Sequence, residues 1–563
     1  MTTGQRRLKW VRAALTVAFC AATMLGADPA SGGASNNGSS SDVQELRALL
    51  AAQQRQIEQL RTALAEQKKV IDKLAPAQDS NARFSLPNTP KLGEVATTSP
   101  VLPAGPAPLP APAASGNAAD EAPAPLQLKL GNVSISPVGF MDMTSVSRST
   151  NPGSGIGTNF GSIPYGNVQL GTLTETRFSI QNSRLGARFD TGFHGYNVLG
   201  YWESDFLGQL GNPPNGGLAV SSNPYVFRMR LYWVDVSKNN WEFLAGQTWS
   251  LMTPNRKGVS PLPGDLFYSQ DIDVNYQAGL VWGRIPEFRA AYHFGDKAAF
   301  AVALDNSEPY IGGGNGGSAV TPPAAIAAAS NVINTQINGG SSVISAAALM
   351  PDVIAKLAFD PSKRAHIEFA GVMVTDKFSD PVSTPAFQTN TKVGGGGSVN
   401  ASFELFKGFR FLTNNYWSAG GGRYIFGQAP DFIIRADGTL SLVHSASTVT
   451  GFEAQARKTL VYAYYGGVFI DKNMALDTTG KPIGYGPISS DGQNRAIQEI
   501  TFGTNTTLAK DPKWGGLNLM FQFSYLQRNP WLVTGTNPTN AHLSMGFVNL
   551  RYTLPGAPAP KMF

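Results

Sequence analysis

Charged side chains able to grip a small anion recur with a two-residue spacing in this 563-residue chain. Arg184, Arg188, Arg228, Arg230 and Arg289 each stand beside apolar neighbours, and Glu203 and Asp205 repeat the spacing with acids. On a β-strand, side chains alternate between faces, so each such segment gathers its charges on one face and its apolar groups on the other. A guanidinium is planar, always charged, and binds a carboxylate through two parallel hydrogen bonds. A channel wall with an excess of such groups would concentrate anions and set a transverse field against Glu203 and Asp205. The same residues fit a second reading with equal force: cross-strand ion pairs that hold a polar wall in register.

Catalytic chemistry finds little footing. The five histidines, His194, His293, His366, His444 and His542, are scattered, and the chain has neither a Gly-x-Ser-x-Gly nor a His-Glu-x-x-His pattern. Cys20 is the only cysteine and falls in a segment expected to be removed. That excludes disulfides and thiolate metal sites from the mature chain. With no nucleotide-binding loop either, the expectation is no enzyme and no cofactor.

The elements that must position the charges are strands. Gly 61, aromatics 10%, charged residues 15% and a mean hydropathy of −0.12 describe a glycine- and aromatic-rich chain less apolar than a helical membrane protein. Leu517, Leu519, Phe521, Phe523 and Tyr525 alternate with Asn518, Met520, Gln522 and Ser524, one face suited to lipid and the other to water. Phe227, Met229, Leu231 and Trp233 read as alternating with Arg228, Arg230 and Tyr232, and Phe288, Ala290, Tyr292 and Phe294 with Arg289 and His293. In lipid an open sheet edge leaves backbone groups unsatisfied, so such strands must close. Sixteen segments are expected, starting near 133, 177, 196, 224, 241, 285, 298, 351, 365, 393, 409, 447, 459, 495, 517 and 541. Short turns are expected at 194–195, 238–240, 295–297, 361–364, 407–408, 457–458 and 512–516, on the periplasmic side. The fold class is therefore an all-β transmembrane barrel wide enough for an aqueous channel. Residues 459–470 are apolar on both faces, as expected where a strand packs on another subunit or an inserted loop. Val548, Leu550, Tyr552 and Leu554 share one face of a closing strand, with Phe563 ending the chain.

Ahead of the barrel, Arg6, Arg7, Lys9 and Arg12 precede an apolar stretch from Ala13 to Leu25 and a small-residue exit at Gly26 and Ala27, the pattern of a signal peptide. These four of the 44 basic residues come with no acid, so their removal lowers the formal charge from +6 to +2 and leaves nothing that implies a nucleic-acid partner. A capping pattern at Ser41 and Gln44 opens five heptads. Their a positions are Val43, Leu50, Ile57, Leu64 and Ile71, and their d positions Leu46, Gln53, Leu60, Gln67 and Leu74. A narrow apolar seam with polar d positions favours a self-associating coiled coil of fixed register. Three strands are the working expectation, a number the heptads alone leave open. Residues 76–131 read as a Pro/Ala-rich extended linker. The expected organisation is a signal peptide (1–27), spacer (28–40), coiled coil (41–75), linker (76–131) and barrel (132–563).

The segments Phe-Arg-Met-Arg-Leu-Tyr (227–232), Trp-Glu-Phe-Leu-Ala-Gly-Gln-Thr-Trp-Ser (241–250), Arg-Ile-Pro-Glu-Phe-Arg-Ala-Ala-Tyr (284–292) and Phe-Ala-Val-Ala-Leu (300–304) resemble the DcaP-like porins. Gly-Gln-Thr-Trp-Ser at 246–250 is the most specific piece, and Ser-Arg-Leu-Gly at 183–186 with Glu203, Asp205 and Phe206 fits the same family. The resemblance implies a trimeric sixteen-stranded outer-membrane porin passing small anionic solutes, with its coiled coil in the periplasm. It also implies a third loop, Leu251 to Gly283, folded inward, which makes Arg256, Lys257, Asp265, Asp271 and Asp273 candidate constriction residues beside the wall charges. Outer-membrane lipid and small anions are the expected partners, with peptidoglycan a further candidate. The competing reading is a structural tether or adhesin that uses the barrel only as an anchor.

Overall fold

A computed structural model of the chain describes residues 126–208, 226–266, 270–313, 317–329, 346–384, 386, 388–488 and 491–555. The expected signal peptide and heptad segment, most of the linker, and Phe563 lie outside the described residues.

Alternation and closure produce sixteen antiparallel strands in one cylinder. A short β1 (Leu128–Leu130), in the stretch expected as linker, pairs with the start of β2 (Val133–Arg148). The second barrel strand is interrupted, with β3 (Glu175–Ser179) and β4 (Arg184–Phe193) both lying along β2. Next come β5 (Tyr196–Gly208), β6 (Val226–Lys238), β7 (Trp241–Trp249), β8 (Arg284–His293) and β9 (Ala298–Asp305). The short β10 (Ala346–Ala348) and the longer β11 (Asp352–Ser362) share the edge of β12 (Ala365–Ser379), followed by β13 (Thr389–Phe406) and β14 (Phe409–Ala419). A loop hairpin, β15 (Phe432–Ile434) with β16 (Leu440–Leu442), precedes β17 (His444–Ala456) and β18 (Thr459–Ile470). A second hairpin, β19 (Asn473–Leu476) with β20 (Pro482–Tyr485), leads to β21 (Asn494–Asp511), β22 (Gly515–Pro530) and β23 (Ala541–Thr553). β23 pairs with β22 on one side and with β2 on the other, Phe140 opposite Thr553 and Arg148 opposite Met545, which closes the barrel. Observed strand starts lie within four residues of the expected ones.

The seven expected short turns are all present at one end of the cylinder. At the tightest, His194 and Gly195 both have positive φ, 46° and 79°, the geometry whose twist matches two right-twisted strands. Outside, Met143, Phe189, Phe243, Phe288, Phe300, Phe369, Phe502, Phe521 and Val548 are exposed, as a lipid-facing surface requires. Among the described residues no helix is long and apolar enough to cross a membrane.

One alternation differs from expectation. Leu231 and Trp233 are buried inside the barrel while Tyr232 is exposed outside, the reverse of the phase set by Phe227 and Met229. The cause is a bulge: Glu203 faces Leu231 but Ser204 faces Met229, so Arg230 is an extra residue and both Arg230 and Leu231 turn inward.

The loop between β7 and β8, described at residues 250–266 and 270–283, is folded into the lumen and largely buried. An irregular backbone inside a barrel needs acceptors for its N–H groups, and wall side chains supply them. Glu368 on β12 accepts from the Asn255 N–H, Asp360 on β11 from Gly258, Glu499 on β21 from Ala278, and Asn414 on β14 from Val281. Gln522 on β22 accepts from the Ile272 N–H, and the Tyr464 hydroxyl on β18 from Gln270. The two-sided apolarity of 459–470 has its explanation here. A Cβ on Gly466 would lie 2.0 Å from the Ala278 carbonyl oxygen, and one on Gly279, at φ 84°, would lie 2.5 and 2.8 Å from the carbonyl oxygens of Gly467 and Thr448. Replacing Gly466 by Val is therefore expected to undock the loop. Trypsin should then cut after Arg256 or Lys257 in folded variant barrels while sparing the parent protein; equal resistance would refute this docking.

Candidate pore constriction

The interior face of β2, β4, β5, β6, β8 and β23 carries a group of five arginines. Arg184 Nη1 donates to Glu203 Oε1 at 3.2 Å, and Arg230 reaches both acids of β5, Nε to Glu203 at 2.8 Å and Nη1 to Asp205 at 2.6 Å. Arg228 grips Asp205 with two parallel bonds of 3.0 and 2.7 Å. Arg551 on β23 donates to Asp142 Oδ2 from Nε and Nη2 at 3.0 and 2.8 Å. Arg184 and Arg551 both lie over the ring of Phe140, at 5.2 and 4.2 Å. Arg284 lies over the rings of Trp249 and Trp282, at 5.4 and 5.2 Å, with Arg228, Arg230 and Tyr276 among its charged or polar neighbours. Five guanidiniums thus stand against three carboxylates, Glu203, Asp205 and Asp142. Aromatic faces carry part of the load, since a π-cloud attracts a cation without cancelling its charge.

The charged residues named from the sequence fall into different settings. Arg184, Arg230, Glu203 and Asp205 are buried members of an ion-pair lattice across neighbouring strands. Arg228, whose side chain is 36% exposed, keeps solvent contact. Arg188 is buried against Asp190, two residues along its own strand. Arg289 is buried and bonds Glu287 at 2.5 Å and the carbonyls of Val259 and Trp249, so it clamps the inserted loop. Arg256 reaches across the lumen to Glu453 on β17 with bonds of 2.8 and 2.6 Å, fully buried. Burial alone would push its guanidinium down; Glu453 wins and raises it. Lys257 and Asp265 are partly exposed on the loop, whereas Asp271 and Asp273 are buried. Arg551, Asp142 and Arg284 escaped the sequence reading. The alternation that placed Val548 and Leu550 outside also placed Arg551 inside, and that is the signal that could have found it.

Acids gather on the neighbouring strands β8, β9, β11 and β12. Arg423, in the loop after β14, binds Asp431 at 2.9 Å, Asp376 at 2.5 Å, and Asp352 at 3.3 Å. Glu287, Asp305 and Asp352 occupy consecutive register positions on β8, β9 and β11. Among the described residues no group of three or more His, Cys, Asp or Glu is arranged to hold a metal ion. The interior thus holds two local clusters, the five-arginine group on β4, β6, β8 and β23 and the acids Glu287, Asp305, Asp352 and Asp376 along β8, β9, β11 and β12.

The class of protein follows: a closed sixteen-stranded barrel of the transmembrane type, with one loop folded inside against a charged wall. More particularly, the fold is that of the DcaP outer-membrane channel of Acinetobacter baumannii, at 16% identity and a TM-score of 0.54, covering 76% of this chain and 99% of that one. The anion-selective porin from Comamonas acidovorans overlaps more loosely, at 11% identity, 75% and 100% coverage and a TM-score of 0.41. OmpF of Salmonella typhi, in a complex with daunomycin, does so at 9% identity, 76% and 100% coverage and a TM-score of 0.37. No family model and no curated protein matches the chain.

Two outcomes follow from these charges. Replacing Arg256 by Met strands the buried Glu453 and is expected to cost about 3–5 kcal/mol of stability. Replacing both partners, Arg256→Met with Glu453→Gln, should recover most of it in a chemical-unfolding titration; a double variant as weak as the single one would contradict the pairing. Glu308, in the loop after β9, has its carboxyl pushed up to about 7 by burial, against the opposing pull of Asn306 and Arg423. The folded chain thus favours the protonated form, so this stabilisation is complete below the ordinary value of 4.5 and is lost as pH rises through 7. Between pH 5 and 8 the melting temperature in detergent should fall less in Glu308→Gln than in the parent; parallel slopes would rule this out.

Proposed function

We propose that this protein is a passive outer-membrane channel for small hydrophilic solutes that favours anions such as carboxylates, and that it works as a homotrimer gathered by its periplasmic coiled coil. The observation that carries the reading is a local cluster in which five guanidiniums meet three carboxylates, with Arg228 of that cluster in contact with solvent. Arginine stays charged throughout the physiological range, so such a wall attracts anions at any working pH. A solute carboxylate meeting Arg228 would find a donor fork already oriented by Asp205, which lowers the ordering cost of binding. The inserted loop supports the same reading, because it brings Tyr276 and Trp282 into the lumen beside this cluster. A barrel serving only as an anchor or tether has no use for a solvent-facing arginine beside an inserted loop. The exposed apolar exterior supports a bilayer as the surrounding medium.

Removing one unit charge at contact distance is worth about 1 kcal/mol in water, roughly a fivefold change in the ratio of anion to cation permeability. Arg228→Gln is accordingly expected to move the reversal potential under a salt gradient toward the cation side in planar bilayers. An unchanged reversal potential would remove the basis for the anion preference, and liposomes that fail to swell in small sugars and carboxylates would remove the channel itself.

A further inference from the structure

The outward face of β18, β21 and β22 changes character toward the loop end of the barrel. Tyr465, Ile500 and Tyr525 stand side by side as the last bulky apolar row, all exposed. Two residues further along each strand the outward positions are Gly467, Gln498 and Gln527, again in register, with His542 of β23 beside Gln527. Two residues further still come Phe469, Ala496 and Asn529. The Gln527 amide donates to Asn529 Oδ1 at 3.1 Å. An apolar band that gives way to amides and then to aromatic rings marks the boundary between acyl chains and headgroups.

Just past this boundary two cations meet one ring. Lys472 follows β18, Trp531 follows β22, and Arg495 lies at the start of β21. Lys472 Nζ and the Arg495 guanidinium carbon each lie 5.9 Å from the centre of the Trp531 ring. The indole is pinned by its own N–H, which donates to the Ile470 carbonyl at 3.1 Å, and it meets the exposed ring of Phe469 edge-on at 6.4 Å. A bulge aims Arg495: Asn494 faces Pro530 and Ala496 faces Asn529, so Arg495 is an extra residue. Both cations are exposed, and among the described residues neither forms an ion pair. Asp471 accepts from the Lys472 backbone N–H, and Asp491 is bonded by Thr534 and Asn537. Arg228 and Arg230 inside the barrel are, by contrast, matched to Asp205.

We propose that Lys472, Arg495 and Trp531 form a binding site for the phosphorylated sugar headgroup of an outer-leaflet glycolipid of the lipid A class. Charge complementarity selects this occupant. Two unpaired cations on one ring suit a phosphate monoester, which carries about −1.5 to −2 charge at pH 7. A zwitterionic phospholipid brings its own ammonium and gains little from them. The amides of Gln498, Gln527 and Asn529 offer donors and acceptors to sugar hydroxyls and amide-linked acyl chains, more than a glycerol headgroup would use. Phe469 and the apolar row beyond those amides then face the acyl chains. The proposal rests on the outer-membrane reading above, with the long loops outside, and is independent of which solute the channel passes.

Retention of defined lipids by the full-length protein, read by native mass spectrometry from detergent, tests the site. The parent protein should hold diphosphorylated lipid A in preference to the same lipid stripped of its phosphates and to phosphatidylglycerol. Lys472→Gln combined with Arg495→Gln should weaken lipid A retention roughly 25-fold, about fivefold for each charge at a membrane surface. The charge-conserving pair Lys472→Arg with Arg495→Lys should keep it. So should Lys407→Gln with Lys458→Gln at the short-turn end, where both lysines are exposed. Undiminished retention after the two Gln substitutions at 472 and 495 would overturn the site. Equal retention by the parent of the phosphate-free lipid or of phosphatidylglycerol would overturn its choice of a phosphorylated glycolipid. Bilayer conductance reports separately on the channel: a parent that retains lipid A without conducting would remove the channel and leave the site standing.

Discussion

Every backbone N–H and C=O in this protein needs a partner in a place where water is scarce, and that requirement shapes both surfaces of the barrel. Toward lipid it forces closure: β23 must find β2, because an open edge in hydrocarbon would leave a row of unpaired groups. Toward the lumen it governs residues 250–283, an irregular segment far from bulk solvent. The loop is held by side chains of the wall, with Glu368, Asp360, Glu499, Asn414 and Gln522 each accepting from one of its amides. The inward face of half the barrel is thus committed to holding a loop.

That commitment divides the interior charges into two populations. Lys356, Glu368, Arg256, Glu453 and Arg289 anchor the loop through buried, mutually saturating contacts. Arg184, Arg228, Arg230, Arg284 and Arg551 stand on the other side, fixed by fewer acids and by the rings of Phe140, Trp249 and Trp282. Rings orient a guanidinium while leaving its charge intact. Buried ion pairs of the first population contribute little net stability against well-packed apolar groups, but they fix which residue faces which. Geometry of that kind is what a narrow permeation path requires.

The extent to which this was legible in the sequence depends on how local each feature is. The strands were legible because a two-residue alternation is a property of consecutive side chains, and the short turns because their residues carry their own backbone preferences, as His194 and Gly195 do. The phase of β6 was not. Arg228 and Arg230 read inward, and Leu231 and Trp233 read outward by extrapolation. The bulge at Arg230 arises from the register with β5 and leaves no mark in the spacing. Arg551 went unnoticed although the alternation of β23 places it inside.

By itself, the sequence determined a closed barrel of sixteen strands, its lipid-facing and water-facing sides, and the candidate charges of its wall, because each follows from period-two patterning in a medium that forbids open edges. Only the tertiary structure decided which charges lock the loop and which form the arginine-rich wall. Arg256 and Arg228 are the same residue type in equally plausible positions. One meets Glu453 across the lumen and disappears into a buried pair, while the other shares Asp205 and keeps a face toward solvent. Their partners lie 197 and 23 residues away in the chain, and no local pattern specifies a meeting that closure of the barrel alone brings about.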